Sequence, residues 1–254
     1  MDTKHTNRRD FLKTASIALA VIASAQQRTK AAGTQTGVVI FLYDRMTALD
    51  AIGPYEVLRC VPGLDVRFVA KNAGLVKPDS GLQMLNAEHG IGDVTSADIL
   101  IVPGGDASGP LQDPDVLEWI RRMHERTKWT TSVCVGSLIL GAAGLLKGIP
   151  ATTHWNTMSG LKHFGAQAMN ERFVRHGKIM TAAGVSAGLD MALALVGLEY
   201  GDDMARAIQL MIEYDPRPPF DSGSTGKASP ETIDRARQML RDMYASPPAE
   251  RAVP

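Results

Sequence analysis

Cysteine is scarce in this chain: 254 residues carry two, Cys60 and Cys134. Two thiols cannot build the disulfide framework that holds a small secreted scaffold together. In an oxidising compartment they could bridge, but a bridge would silence Cys134, and Cys60 falls on a predicted helix. Both are therefore expected to be free, with Cys60 structural. An excess of charge of either sign is also missing, since 27 Lys+Arg balance 27 Asp+Glu. A chain this neutral has no general electrostatic pull on nucleic acid or anionic membrane. The six histidines nowhere show His-Glu-x-x-His spacing, and no zinc site or cofactor is implied. There is no internal repeat and no low-complexity linker.

The first 25 residues read as an export signal rather than as part of the fold. Arg8-Arg9-Asp10-Phe11-Leu12-Lys13 is a twin arginine followed by Phe-Leu-Lys. An apolar run from Thr14 to Ala25 follows, too short to span a membrane, and Ala23-Ser24-Ala25 offers a small-x-small cleavage site. The pattern resembles a Tat signal, whose carrier exports folded proteins. Periplasmic localisation is expected, without stable membrane insertion after cleavage. Cleavage near Ala25 would leave 229 residues with 23 Lys+Arg and 25 Asp+Glu. Residues 26–35 are polar and expected to be a disordered linker, residues 36–246 one domain, and residues 247–254 a flexible tail.

What the sequence does contain is strands alternating with helices. Residues 36–43 are continuously apolar, the mark of a strand buried on both faces. A helix is predicted over 50–60, a strand over 65–71, and a hairpin over 75–85 turning at Pro78-Asp79-Ser80-Gly81. Residues 97–105 form another central strand ending in a glycine pair. Pro114 opens a helix whose Val116, Ile120 and Met123 share one face. After residue 150 come a short helix over 156–164 and a hairpin around His176-Gly177-Lys178. An apolar helix over 185–199 is expected to be covered on most sides. A second amphipathic helix carries Met204, Ile208, Met211 and Ile212, and a last helix is capped by Ser229 with Pro230 at its first position. This order predicts an α/β fold, a mainly parallel sheet with helices on both faces and a site at the carboxyl ends of the strands. Three loops should meet there: those after Tyr43, after Val102 and after Val133.

The third is the most informative. Trp129–Val133 is β-rich, Leu138–Lys147 is of helical type, and Cys134 stands at the change of period with Gly136 two residues on. A strand that turns at once into a helix strains its turn residue and thrusts that side chain outward. Gly136 permits the turn, and the new helix's free N–H groups are expected to lower the thiol pKa. This is a nucleophile elbow with cysteine in place of serine. The plainer alternative is a buried cysteine acting as a small hydrophobe.

Around it, Gly104 and Gly105 are candidates, with the N–H of Val135, for an oxyanion hole. Asp50 or Glu56 could serve as acid or base, the plainer readings being a helix cap for Asp50 and a solvated face for Glu56. His154 could be a base for the thiol, or a histidine that only hydrogen-bonds structurally.

Three segments carry a family resemblance. Leu49-Asp50-x-x-Gly53-Pro54-x-Glu56, Val102-Pro103-Gly104-Gly105 and Ser132-Val133-Cys134-x-Gly136-Ser137 are similar to site segments of the ThiJ/PfpI superfamily (DJ-one/PfpI; class I glutamine-amidotransferase-like). The likeness runs from about Gly37 to Ala236 and is greatest to the isocyanide (isonitrile) hydratases. It implies a flavodoxin-like three-layer sandwich, a homodimer, a small-molecule substrate, Cys134 as nucleophile and Asp50 as its acidic partner. It implies an oxyanion-type hole around Gly105 and Val135. The activity implied is cysteine-dependent addition of water to an isocyanide or a related small electrophile. The alternatives are glyoxalase or deglycase chemistry, and a non-enzymatic thiol sensor or binding protein. Gly184–Asp190 also resembles the sensor domain of AraC-type regulators, a role that export would exclude. One position departs from the hydratases, which resemble this chain but carry threonine where it has Val135.

Overall fold

The computed structural model describes residues 37–81 and 84–245. The twin-arginine segment, the linker and the tail lie outside the described residues. The chain folds around a seven-stranded sheet. Strand β1 (Gly37–Leu42) lies near its centre, flanked by β2 (Asp65–Ala70) and β6 (Ile99–Val102). Beyond β2 lies the two-residue strand β5 (His89–Gly90). Beyond β6 come β7 (Trp129–Val133), β11 (Ile179–Ala182) and the edge strand β10 (Phe173–His176). All neighbours pair in parallel except β10 with β11. The continuous apolar runs are explained by this placement: every residue of β6 and β7 is buried, as are Val38–Leu42 of β1.

The chain moves outward from β1 through β2 to β5, then returns to β6 on the other side of β1. The strand order therefore reverses between β1 and β6, and the crevice for a ligand opens at their carboxyl ends. Helix α1 (Ala48–Leu58) connects β1 to β2 and α3 (Pro114–Arg126) connects β6 to β7, in opposite directions along the sheet, so the right-handed crossover rule puts the two helices on opposite faces. This is the predicted α/β sandwich. In α3, Asp113 caps the first turn through Asp115 and Val116. Trp119 is buried against Phe41, with ring centroids 5.5 Å apart, and its Nε1–H donates to the Val94 carbonyl.

The predicted hairpin over 75–85 is the pair β3 (Gly74–Val76) and β4 (Leu85–Ala87). A short helix α2 (Ser108–Gln112) and strand β9 (Gln167–Ala168) are elements the periodicity did not reveal; β9 pairs in parallel with β8 (Pro150–Ala151), in the segment 149–155 whose sequence reads as a short strand or loop. After β7 come α4 (Gly136–Ala142) and α5 (Met158–His163), and after β11 come α6 (Ala187–Tyr200), α7 (Asp202–Met211) and α8 (Pro230–Ala245). Helix α6 is covered on most sides, as expected, with one exposed apolar residue. It buries Met191, Leu195 and Val196 but leaves Leu198 47 % exposed. Among the described residues no helix is long and apolar enough to cross a membrane.

Candidate active site

Cys134 is the joint between β7 and α4, and its backbone sits at φ 58°, the left-handed region that an L-residue rarely adopts. Such a conformation costs about 1–3 kcal/mol and persists only when its surroundings impose it. Here the Cys134 N–H donates to the Ala182 carbonyl at 2.9 Å. The Cys134 carbonyl accepts from the Ser137 and Thr153 hydroxyls at 3.2 and 3.0 Å. Gly136 avoids a Cβ clash at the turn, as expected, and the structure shows what the clash would be with. A Cβ there would lie 2.1 Å from the Val102 carbonyl oxygen, so glycine is required by the close approach of β6. Gly184, at φ 115°, closes the other side: its Cβ would lie 3.0 Å from the Cys134 Sγ.

Asp50, in the first turn of α1, has no exposed surface. Its Oδ2 accepts the Gly104 N–H at 3.0 Å, while Oδ1 is buried without a well-aligned partner. The Cys134 thiol lies within hydrogen-bonding reach of the carboxyl. Backbone bonds fix this arrangement. The Thr47 N–H donates to the Gly104 carbonyl and the Asp106 N–H to the Arg45 carbonyl, both at 3.0 Å, so the β1–α1 and β6–α2 loops are stitched together. Burial raises the Asp50 pKa from 3.8 to about 7, against the lowering by the Gly104 N–H and the thiol. An orphaned oxygen and a raised pKa agree: the carboxyl is built to hold a proton.

The thiol does not behave as the elbow predicted. Burial pushes its pKa well up and the Asp50 charge adds to the rise. The N–H groups of Val135 and Gly105, both bonded to the sulfur, pull the other way without overcoming it. The sequence showed the turn but not the depth: Cys134 is only 5 % exposed. The seven-residue α4 also offers little macrodipole. The resting site thus holds a neutral thiol beside a carboxyl that titrates near neutrality. The sulfur lies on the floor of a cavity of about 920 Å³, with Val135, His154 and Val185 in its walls. Among the described residues no cluster of three or more His, Cys, Asp or Glu is arranged to hold a metal ion.

The sequence pattern of the DJ-1/PfpI family matches residues 36–198. The chain belongs to the DJ-1/PfpI family. It is 42 % identical to an isonitrile hydratase of Pseudomonas putida over 198 residues, covering 78 % of this chain and 86 % of that protein. The crystal structure of a ThiJ/PfpI family protein from Pseudomonas syringae superposes with a TM-score of 0.78 at 36 % identity, covering 82 % of this chain and 87 % of that one. The chain is also 27 % identical over 182 residues to the HTH-type transcriptional regulator GbdR of Pseudomonas aeruginosa, covering 68 % of this chain and 49 % of the regulator.

In this DJ-1/PfpI domain the predicted site residues separate clearly. Cys134, Asp50, Gly105 and Val135 come together. Gly104 is present in another role: its N–H is taken by Asp50, so it offers none to a ligand. Glycine is needed there because a Cβ would sit 2.4 Å from the Val135 nitrogen. Asp50 is no helix cap, since Thr47 occupies that position. Glu56 has the plainer role, ion-paired with Arg59 at 2.5 Å on a solvated face. His154 reaches the cavity wall, where burial lowers its pKa, and its Nδ1 accepts the Asn156 N–H at 3.4 Å. Among the described residues it makes no hydrogen bond to the thiol. Both cysteines are free, and the Cys60 thiol, in the turn that follows α1, donates to the Glu56 carbonyl in the last turn of that helix. Sequence reasoning counted three loops and missed two contributors. One is the Gly184 loop, whose signal was a glycine just before an apolar helix. The other is α8, whose Leu240 and Tyr244 line the cavity.

Proposed function

We propose that this protein is a cysteine-dependent hydro-lyase that adds water to an isocyanide, giving an N-substituted formamide. The observation that carries the reading is the buried Asp50 carboxyl, held near neutral pKa and set against the Cys134 thiol. The likeness to the Pseudomonas putida isonitrile hydratase supports the substrate. An isocyanide carbon must gain both a nucleophile and a proton. As the Cys134 sulfur bonds to that carbon, Asp50 gives its proton to the same carbon and takes the thiol proton in exchange. The product is a thioimidate, R–N=CH–S–Cys134. Water adds to its carbon and the nitrogen is protonated; the C–S bond then breaks, releasing R–NH–CHO and restoring the thiol. The N–H groups of Val135 and Gly105 stabilise charge near the sulfur as it develops, and one such donor is typically worth about 2.7–4 kcal/mol.

A neutral, deeply set thiol argues against the sensor reading, because oxidation by peroxide follows thiolate character and exposure. The test is kinetic. Cys134→Ala and Asp50→Asn should each reduce formamide production at least 10³-fold, while Glu56→Gln should stay within two-fold, on the order expected for core and peripheral groups. Full activity in Asp50→Asn would show that the proton comes from elsewhere.

A further inference from the structure

Tyr43, the residue after β1, is buried yet takes no part in the chemistry proposed above. Its ring packs on Phe41, with centroids 5.8 Å apart, and its hydroxyl donates to the Pro103 carbonyl at 3.1 Å. That carbonyl and the Gly104 N–H belong to one peptide unit. The N–H end of the unit donates to Asp50 Oδ2 at 3.0 Å. Tyr43 and Asp50 therefore hold the same amide from its two ends.

This amide has little else to fix its direction. The Pro103 ring locks only its own φ. The plane of the next peptide turns about ψ of Pro103 and φ of Gly104, and glycine restrains φ least of all residues. No larger residue fits at 104, where a Cβ would lie 2.4 Å from the Val135 nitrogen. The hydrogen bond on the Pro103 carbonyl supplies the restraint that a side chain cannot. It also acts through the bonds of the amide: a carbonyl that accepts a hydrogen bond polarises its peptide and makes the N–H a better donor. Burial pushes the Tyr43 pKa well up, and the charges of Asp50 and Cys134 add to the rise, so the phenol keeps its proton while Asp50 titrates.

We propose that Tyr43 is a positioning residue for Asp50, its hydroxyl orienting and polarising the Pro103–Gly104 peptide so that the Gly104 N–H holds the carboxyl against the Cys134 thiol. The proposal rests on the acid role given to Asp50 but concerns what holds the carboxyl, not what it reacts with. The titratable groups that face Asp50 are the Cys134 thiol from the elbow, Tyr43 from the end of β1, Asp79 from the segment after β3 and Tyr244 from α8. Of these, Tyr43 is bonded to the peptide that Asp50 uses. An N–H donor favours the carboxylate, so weakening that donor favours the acid.

The test is an NMR titration of the full chain with its aspartate carboxyl carbons labelled, the Asp50 signal being identified by its loss in Asp50→Asn. Tyr43→Phe keeps the ring and should raise the Asp50 midpoint above about 7 by about half a pH unit. Exchange of Tyr43 for 3-fluorotyrosine, a more acidic phenol and a stronger donor of nearly the same shape, should lower the midpoint. Thr131→Val removes another buried hydroxyl that donates to a β6 carbonyl, that of Leu100 at 3.0 Å. It should lower stability to urea and leave the Asp50 midpoint in place. In Tyr43→Phe the falling limb of kcat/KM should move upward with the midpoint. If no isocyanide is hydrated but the midpoint moves as described, the chemistry proposed above falls and the role of Tyr43 stands. A midpoint unchanged in Tyr43→Phe, or moved equally by Thr131→Val, would overturn the inference.

Discussion

A single proton decides much of the behaviour of Asp50. Its pKa in the folded chain, about 7, is above the ordinary 3.8, so between these pH values the native state holds a proton that the unfolded chain has lost. Stability should therefore fall as pH rises from about 4 to about 7 and level off above, by on the order of a few kcal/mol. Asp50→Asn cannot lose that proton. Thermal unfolding should show the variant gaining on the parent at pH 8 and gaining little at pH 4.5; an equal difference at both would exclude the buried carboxyl as the source. The same titration should appear in catalysis, with kcat/KM falling as pH rises through about 7 because the acid has ionised. Val135 makes a separate case. Its N–H is in place but its side chain carries no hydroxyl for the cavity. A hydrogen bond to a charged group is worth roughly 1.5–3 kcal/mol, so Val135→Thr should raise isocyanide turnover about ten-fold. At this scale residue type and spacing singled out Cys134 and the Gly104–Gly105 pair but left Asp50 and Glu56 open, and only the family resemblance pointed to Asp50 and Gly105. The sequence was not legible in electrostatics, because the sign of the Cys134 shift depends on burial that no local pattern reports.

The elements hold those residues at fixed distance, and the contact between α1 and α6 shows how. Gly53 and Pro54 of α1 face Gly188 and Leu189 of α6. A Cβ on Gly188 would lie 3.2 Å from both Val133 methyl carbons and 3.3 Å from the Pro54 Cγ. Gly188→Leu should push α6 away from β7 and α1, displacing the Gly184 turn that packs on Cys134. A cost of about 1–3 kcal/mol in urea unfolding is expected, with loss of activity out of proportion to it. Gly53→Ala meets only ordinary contacts, the nearest at 3.5 Å, and should cost less than about 1 kcal/mol. If the two substitutions were equally harmful, close packing at Gly188 would not be what sets the helix position. Pro54 adds a second effect, since it has no N–H to donate to the Asp50 carbonyl and loosens α1 just where the acid sits. Element types were readable from period and length, as in β1, β6 and α3. Partners were not: apolar composition brought α6 into the core but left Leu198 exposed, and the apolar face of α8 gave no hint that it borders a cavity.

At the scale of the whole molecule, two properties expected from the sequence remain proposals. One is a homodimer, for which light scattering of the purified chain should return twice the protomer mass; a stable monomer would remove it. The other is export, which bears directly on how the site survives. We propose that the twin arginine at Arg8 and Arg9 carries the folded protein to an oxidising compartment. A reactive, low-pKa cysteine would be a liability there. This chain instead offers two free thiols that are both restrained: Cys60, in the turn after α1, donates a hydrogen bond to the Glu56 carbonyl, and Cys134 is buried, neutral and enclosed by Gly184 and Gly104. Thiol–disulfide exchange and peroxide oxidation both proceed through the thiolate, so the raised Cys134 pKa suits the destination. Export of a folded chain would also let the strained elbow form before that exposure. Replacing Arg8 and Arg9 together by Lys should leave the protein in the cytoplasm, detected by fractionation and immunoblotting, with its length unprocessed. Protein still recovered from the periplasm and cleaved near Ala25 would mean that another route carries it. Mass spectrometry of the exported parent should find both thiols reduced, and a Cys60–Cys134 disulfide there would contradict the restraint argued from the Cys60 hydrogen bond and the burial of Cys134.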